Sequence, residues 1–140
     1  MNNEIEEFFI IYVAYNEEKS LLPSFLSAKK SLNNYFSLNP KVKAHVLICP
    51  NGCTDKTLEV AEQIKNNYKS ENIIIDIISS SKGMVIAQNK CLAYIRKNKK
   101  WNDCPLIFID ADSFIEERVI TAVIGQLKKF PKLQAVGIQP

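Results

Sequence analysis

Unbroken apolar runs alternate along this chain with stretches in which apolar positions recur every three or four residues. Phe8-Phe-Ile-Ile-Tyr-Val-Ala14 is continuous and rich in β-branched and aromatic residues, the pattern of a strand buried on both faces. Over about 17–36, the residues Leu21, Leu22, Phe25, Leu26, Leu32, Tyr35 and Phe36 recur at helical spacing. Pro23 then falls in the first turn, where a missing N–H does no harm. Asn39-Pro40 ends that pattern, and Ala44-His-Val-Leu-Ile-Cys49 predicts a second buried strand. Asp55 is placed to cap a helix over about 56–68, with Leu58, Ala61, Ile64 and Tyr68 inward. A third strand is expected over 72–78, and a third helix over about 84–97 with Ala87, Cys91, Tyr94 and Ile95 inward. Pro105 opens a fourth strand, Leu106-Ile-Phe-Ile-Asp110. A helix over about 116–130, presenting Val119, Ile120, Val123, Leu127 and Phe130, and a short strand over about 135–138 complete the series.

This alternation, without repeat or long linker, predicts one α/β domain over residues 1–140. The expected architecture is three layers, α/β/α, around a mostly parallel Rossmann-like sheet, because parallel neighbours need crossover connections. Ligands of such sheets bind at the carboxyl ends of the strands. The turns there are Tyr15-Asn-Glu-Glu18, Pro50-Asn-Gly-Cys-Thr-Asp55, Ser79-Ser-Ser-Lys-Gly83 and Asp110-Ala-Asp-Ser113. Any one of them is an ordinary polar βα loop; four on one edge mark a candidate site.

Asp110-Ala111-Asp112 is the sharpest of the four. Two carboxylates one residue apart repel unless a positive group sits between or beside them, and a magnesium or manganese ion completed by substrate phosphates is the usual remedy. The pair therefore reads as a metal–diphosphate clamp, and Lys82, beside Gly83, is placed to help neutralise the diphosphate. Other chemistries lose ground. There is no G-x-x-x-x-G-K-[ST], no G-x-G-x-x-G after the first strand and no G-x-S-x-G elbow. The single histidine, His45, lies within a strand and is expected to be packed.

Composition adds exclusions. With 46% apolar and 24% charged residues the chain is ordinary globular protein, and its apolar runs are far too short to span a membrane. The acidic start Met1-Asn-Asn-Glu-Ile-Glu-Glu7 is no secretory signal, so a cytoplasmic location is expected. A net charge of +3 is too small to argue for nucleic acid. Cys49, Cys53, Cys91 and Cys104 lack zinc spacing and read as reduced thiols. The basic run Arg96-Lys-Asn-Lys-Lys-Trp101 completes a helix end, or touches anionic lipid at the inner membrane face or a partner chain. Asp76 interrupts the third strand and places it near a sheet edge, facing water.

Taken together the turns resemble the family-2 nucleotide-sugar glycosyltransferases of GT-A fold. The matched features are Ala14-Tyr-Asn-Glu-Glu18 after the first strand and Pro50-Asn-Gly-Cys-Thr-Asp55 after the second. Gly83-Met-Val-Ile-Ala-Gln-Asn89 and Asp110-Ala-Asp112 follow in the family's order and spacing. The resemblance implies a donor site for a nucleoside diphosphate sugar. In it Ala14, Tyr15, Asn16, Glu17, Asn51, Gly52 and Asp55 line the base and ribose, with Gly83 and Asn89 in the third motif. Asp112 holds a divalent metal, Mn2+ or Mg2+, on the diphosphate, and Asp110, next to Ala111, lies near ribose or metal. The implied reaction transfers the sugar to an acceptor hydroxyl with inversion; the acceptor is a saccharide, lipid or protein. Pro50 stands where the family often has an aspartate that reads uracil, so guanosine, cytidine and thymidine donors stay open beside uridine. The resemblance also implies an acceptor half carrying the catalytic base beyond the D-x-D segment. Ser113 to Pro140 offers no such base, Glu116 and Glu117 being expected to begin a helix. The chain thus reads as a donor-binding half. Two alternatives stand beside it: a non-catalytic nucleotide-binding or partner-binding domain, and a D-x-D phosphotransferase with a nucleophilic aspartate.

Overall fold

Both faces of the first strand are apolar because both are covered. A computed structural model describes residues 4–132. Its elements are β1 (Glu7–Ala14), α1 (Leu21–Leu38), β2 (Lys43–Pro50), α2 (Thr57–Tyr68), β3 (Ile73–Ile77), α3 (Met84–Arg96), a 3-10 turn at Lys99–Trp101, β4 (Leu106–Asp110) and α4 (Val119–Lys129). The strands form one parallel sheet in the order β3-β2-β1-β4. Phe8, Ile10, Tyr12 and Ala14 of β1 pack with α1, α2 and α4, while Phe9 and Ile11 pack with α3. The three-layer, Rossmann-like α/β architecture is therefore the observed one.

Chain order explains the layers. From β1 to β3 the chain moves in one direction along the sheet, so α1 and α2 fall on one face. The return from β3 to β4 passes over β2 and β1 and puts α3 on the other face, as right-handed crossovers require. The direction reverses between β1 and β4. That is the topological switch point, where open sheets leave a crevice for ligands.

The helices differ from the sequence expectation in phase rather than existence. α2 turns Thr57, Ala61 and Ile64 inward and leaves Leu58 41% exposed. The cause is the Thr57 hydroxyl, which is buried because it accepts the Glu17 N–H at 2.8 Å, and this rotates Leu58 away. α4 begins at Val119, so Glu116 and Glu117 precede the helix, and Glu116 only offers its carbonyl to the Val119 N–H at 3.2 Å. Ile120, Val123 and Ile124 form its buried face, and Phe130, past the last turn, is exposed. β3 is an edge strand, yet Asp76 is engaged. It accepts from the Tyr94 hydroxyl at 3.0 Å and pairs with Lys65 at 3.6 Å. The expected strand over 135–138 lies outside the described residues.

Candidate functional site

The strand register brings the carboxyl ends level. Ala14 stands opposite Pro50, Val13 opposite Asp110, and an isolated bridge joins Asn51 to Ser80 beyond the regular ladder. All four turns thus open on one edge, with those after β1 and β4 flanking the switch point.

Asn51 ties three of the turns together. It is only 2% exposed. Its N–H and its Nδ2 both donate to the Ala14 carbonyl, at 2.9 and 3.0 Å, and its Oδ1 accepts the Gly83 N–H at 3.1 Å. The next residue, Gly52, has φ +57°, and a Cβ there would lie 2.5 Å from the Lys82 Cβ. Only glycine lets the second and third turns approach so closely.

Asn16 and Asp55 clamp the first turn to the second. Asn16, at φ 51°, accepts the Thr54 N–H at 2.9 Å and donates from Nδ2 to Thr54 Oγ1 at 3.2 Å. Asp55 Oδ1 accepts the Thr57 N–H at 2.9 Å, and Oδ2 accepts the Glu18 N–H at 3.2 Å. Partial burial pushes the Asp55 carboxyl up, but the hydrogen bonds from Thr57 and Glu18 outweigh it and hold the group below its ordinary value. α2 begins one residue later than expected, with Lys56 at its N-cap position, and Asp55 just before it accepts the N–H of the first helical residue and holds the first turn as well.

Other side chains remain available. Tyr15 is exposed, and Lys82 Nζ sits 4.6 Å from its ring centroid. Asp110 and Asp112 are exposed on either side of buried Ala111. Among the described residues neither carboxylate makes a salt bridge or a side-chain hydrogen bond. Glu17 is half-buried and Ala14 fully buried, so Ala14 serves the edge through its carbonyl alone. Gly83, at φ 138°, opens α3, whose first turn carries no acidic residue. Asn89 is exposed on α3, and no hydrogen bond joins it to the turns among the described residues.

The D-x-D turn also has a support that sequence reading did not find. Ser24 and Ser31 of α1 are fully buried, and with Ser27 they hydrogen-bond the segment following β4. The signal was a stripe of small hydroxyls at 24, 27 and 31, on one helical face. His45, by contrast, is buried at the opposite edge, stacked on Phe9 with ring centroids 4.6 Å apart.

The fold and this edge define a Rossmann-like α/β domain with an acidic turn at its switch point. Residues 9–140 match the family model for glycosyl transferase family 2. The chain belongs to that family, and the domain is a glycosyltransferase domain. No curated protein matches the chain.

Proposed function

We propose that residues 1–140 form a nucleotide-sugar-binding domain that presents a nucleoside diphosphate sugar for inverting transfer to an acceptor hydroxyl. The observation that carries this reading is the Asp110–Asp112 pair: both carboxylates exposed and, among the described residues, unpaired at the switch point, with Ala111 buried between them. Among the described residues no three His, Cys, Asp or Glu side chains converge as a metal cage. That donor set suits magnesium or manganese, which bind through one or two carboxylates and take remaining ligands from phosphates and water. Asp112, helped by Asp110, would hold the ion. When bound, it supplies Lewis-acid stabilisation of the departing nucleoside diphosphate.

The other roles follow from the chain's own contacts. Tyr15, Asn16 and Glu17, with Gly52 opposite, form the wall offered to base and ribose. Asn51 and Asp55 keep that wall in register through bonds already made within the chain. Lys82 leaves the Tyr15 ring to oppose diphosphate charge, and Gly83 lets the backbone come close. Pro50 is buried and has no side-chain donor or acceptor, which removes one means of reading a uracil edge and favours no particular base. The acceptor hydroxyl attacks the anomeric carbon as the nucleoside diphosphate leaves, and no residue is assigned as its base.

A calorimetric panel of nucleoside diphosphates and their sugars, with and without manganese, tests the reading. One or more should bind only with metal, and Asp112→Ala should weaken that binding at least a hundredfold, about 2.7 kcal/mol. Absence of metal-dependent binding across the panel, with Asp112→Ala indistinguishable from wild type, overturns it. Trapping a phosphate on Asp110 would instead favour phosphotransfer. No helix among the described residues is long and apolar enough to cross a membrane; contact with a membrane face through the basic run 96–100 is part of the proposal for a lipid acceptor.

A further inference from the structure

Every hydroxyl on one stripe of α1 meets the segment that carries the acidic pair. Ser24, fully buried, donates from Oγ to the Ser113 carbonyl, and the same oxygen lies 3.4 Å from the Asp110 carbonyl. The Ser113 N–H donates to that Asp110 carbonyl at 2.9 Å. Residues 110–113 are therefore a hydrogen-bonded turn with both ends resting on one serine. Ser24 is itself held: its carbonyl accepts from the Tyr12 hydroxyl at 3.4 Å and from Ser27 Oγ at 2.6 Å. Farther along, Ser27 Oγ accepts the Ile115 N–H at 3.1 Å and Ser31 Oγ accepts the Ile120 N–H at 3.1 Å.

Displacing the turn would leave the fully buried Ser24 hydroxyl without its acceptor, so this contact resists displacement. Among the described residues the two carboxylates have no such restraint of their own. We propose that Ser24 is a positioning residue for the donor site: it fixes the 110–113 turn so that Asp110 and Asp112 are aimed before metal and diphosphate arrive. Ligands held on a preorganised turn do not have to supply its ordering entropy, and affinity rises accordingly. This inference rests on the donor-site reading above.

The test compares Ser24→Ala with Ser31→Ala. Each loses one buried hydroxyl contact to the same segment, but Ser31 bonds the start of α4 rather than the turn. Manganese is titrated calorimetrically with uridine diphosphate and, separately, with guanosine diphosphate, and urea unfolding is followed in parallel. Both variants should shift the urea midpoint by similar amounts. Ser24→Ala should weaken manganese-dependent binding about tenfold and raise the manganese concentration required, while Ser31→Ala stays within about twofold of wild type. Equal affinities in the two variants, with wild type binding, overturn this proposal alone. A wild type that binds neither probe with metal overturns the donor-site reading for those bases and this proposal with it. Should Ser24→Ala fail to fold, Ser24→Cys, whose thiol is a weaker donor to the same carbonyl, replaces it with an expected loss of about threefold; an unchanged affinity there overturns the proposal equally.

Discussion

The two ends of the sheet use the same kinds of side chain to opposite effect. At the amino end, Glu7 takes His45 Nε2 at 3.3 Å and Lys100 Nζ at 3.5 Å. His45 packs with Phe9 and Trp101 in one cluster, with ring centroids 4.6 and 5.1 Å away. Glu7, His45 and Lys100 thus satisfy one another, and the rings beside them are packed together. At the carboxyl end the backbone turns are tied as firmly, through Asn51, Asn16 and Asp55, but Asp110 and Asp112 are exposed and, among the described residues, without side-chain partners. A sheet edge on which charges satisfy one another stabilises the fold. One that leaves like charges side by side gives up stability in exchange for a ligand.

The largest break in this comparison is expected at Asn51, where the carboxyl end behaves like the amino end. Asn51→Ala loses two side-chain hydrogen bonds from a buried position and leaves the Gly83 N–H without its acceptor. The expected loss is about 2–4 kcal/mol of stability, read as a fall in the urea midpoint. Metal-dependent nucleotide binding should fall with it, even where the protein remains folded, because three turns lose register. A variant as stable as wild type would mean that the backbone ladder alone holds the edge.

At the amino end, Glu7→Gln should cost about 1 kcal/mol and leave nucleotide binding unchanged. Its pH dependence has a definite sign. Burial pushes the Glu7 carboxyl up, but the hydrogen bond and charge of His45 and the charge of Lys100 outweigh it, and the group lies below its ordinary 4.5. A depressed carboxylate contributes stability that is fully present above the unfolded value and is lost as pH falls through the folded value. Urea unfolding of wild type and Glu7→Gln should therefore differ at pH 6 and converge as the pH falls through the depressed folded value, below 4.5. A constant difference across that range would remove the ionic part of the contact.

How much of this was legible in the sequence depends on whether periodicity or packing decides. Strand identity and order follow from unbroken apolar runs, and the parallel sheet follows from the crossovers. The four turns could be placed on one edge for the same reason. Phase was less legible. Leu58 carries the apolar character expected of an inward position, yet the Thr57 hydroxyl takes that arc because a neighbouring turn presents an N–H to it. Ser24, Ser27 and Ser31 share an arc with Leu21 and Ala28, but a polar stripe reads as solvent-facing until the segment after β4 is seen against it. Asn51 was visible as a turn residue, but its burial depends on two loops distant in sequence. Tertiary contact supplied what local pattern could not.

Lys82 lies between the two regimes, and its removal should have the smallest effect. At rest its ammonium has a partner, the Tyr15 ring at 4.6 Å, but both residues are exposed. Such a pair is worth about 0.5–1 kcal/mol. Lys82→Gln should therefore lower stability by about 0.5 kcal/mol, the low end of that range and close to the limit for exposed substitutions. On the proposed donor-site reading binding is a difference: the lysine would gain a diphosphate and give up the ring. The expected loss of metal-dependent nucleotide affinity is thus modest, about threefold to tenfold. Because the lost contact is ionic and exposed, wild-type affinity should fall more steeply with added salt than that of the variant. Parallel salt slopes would place Lys82 with the amino-end charges, as a residue whose partner lies within the chain.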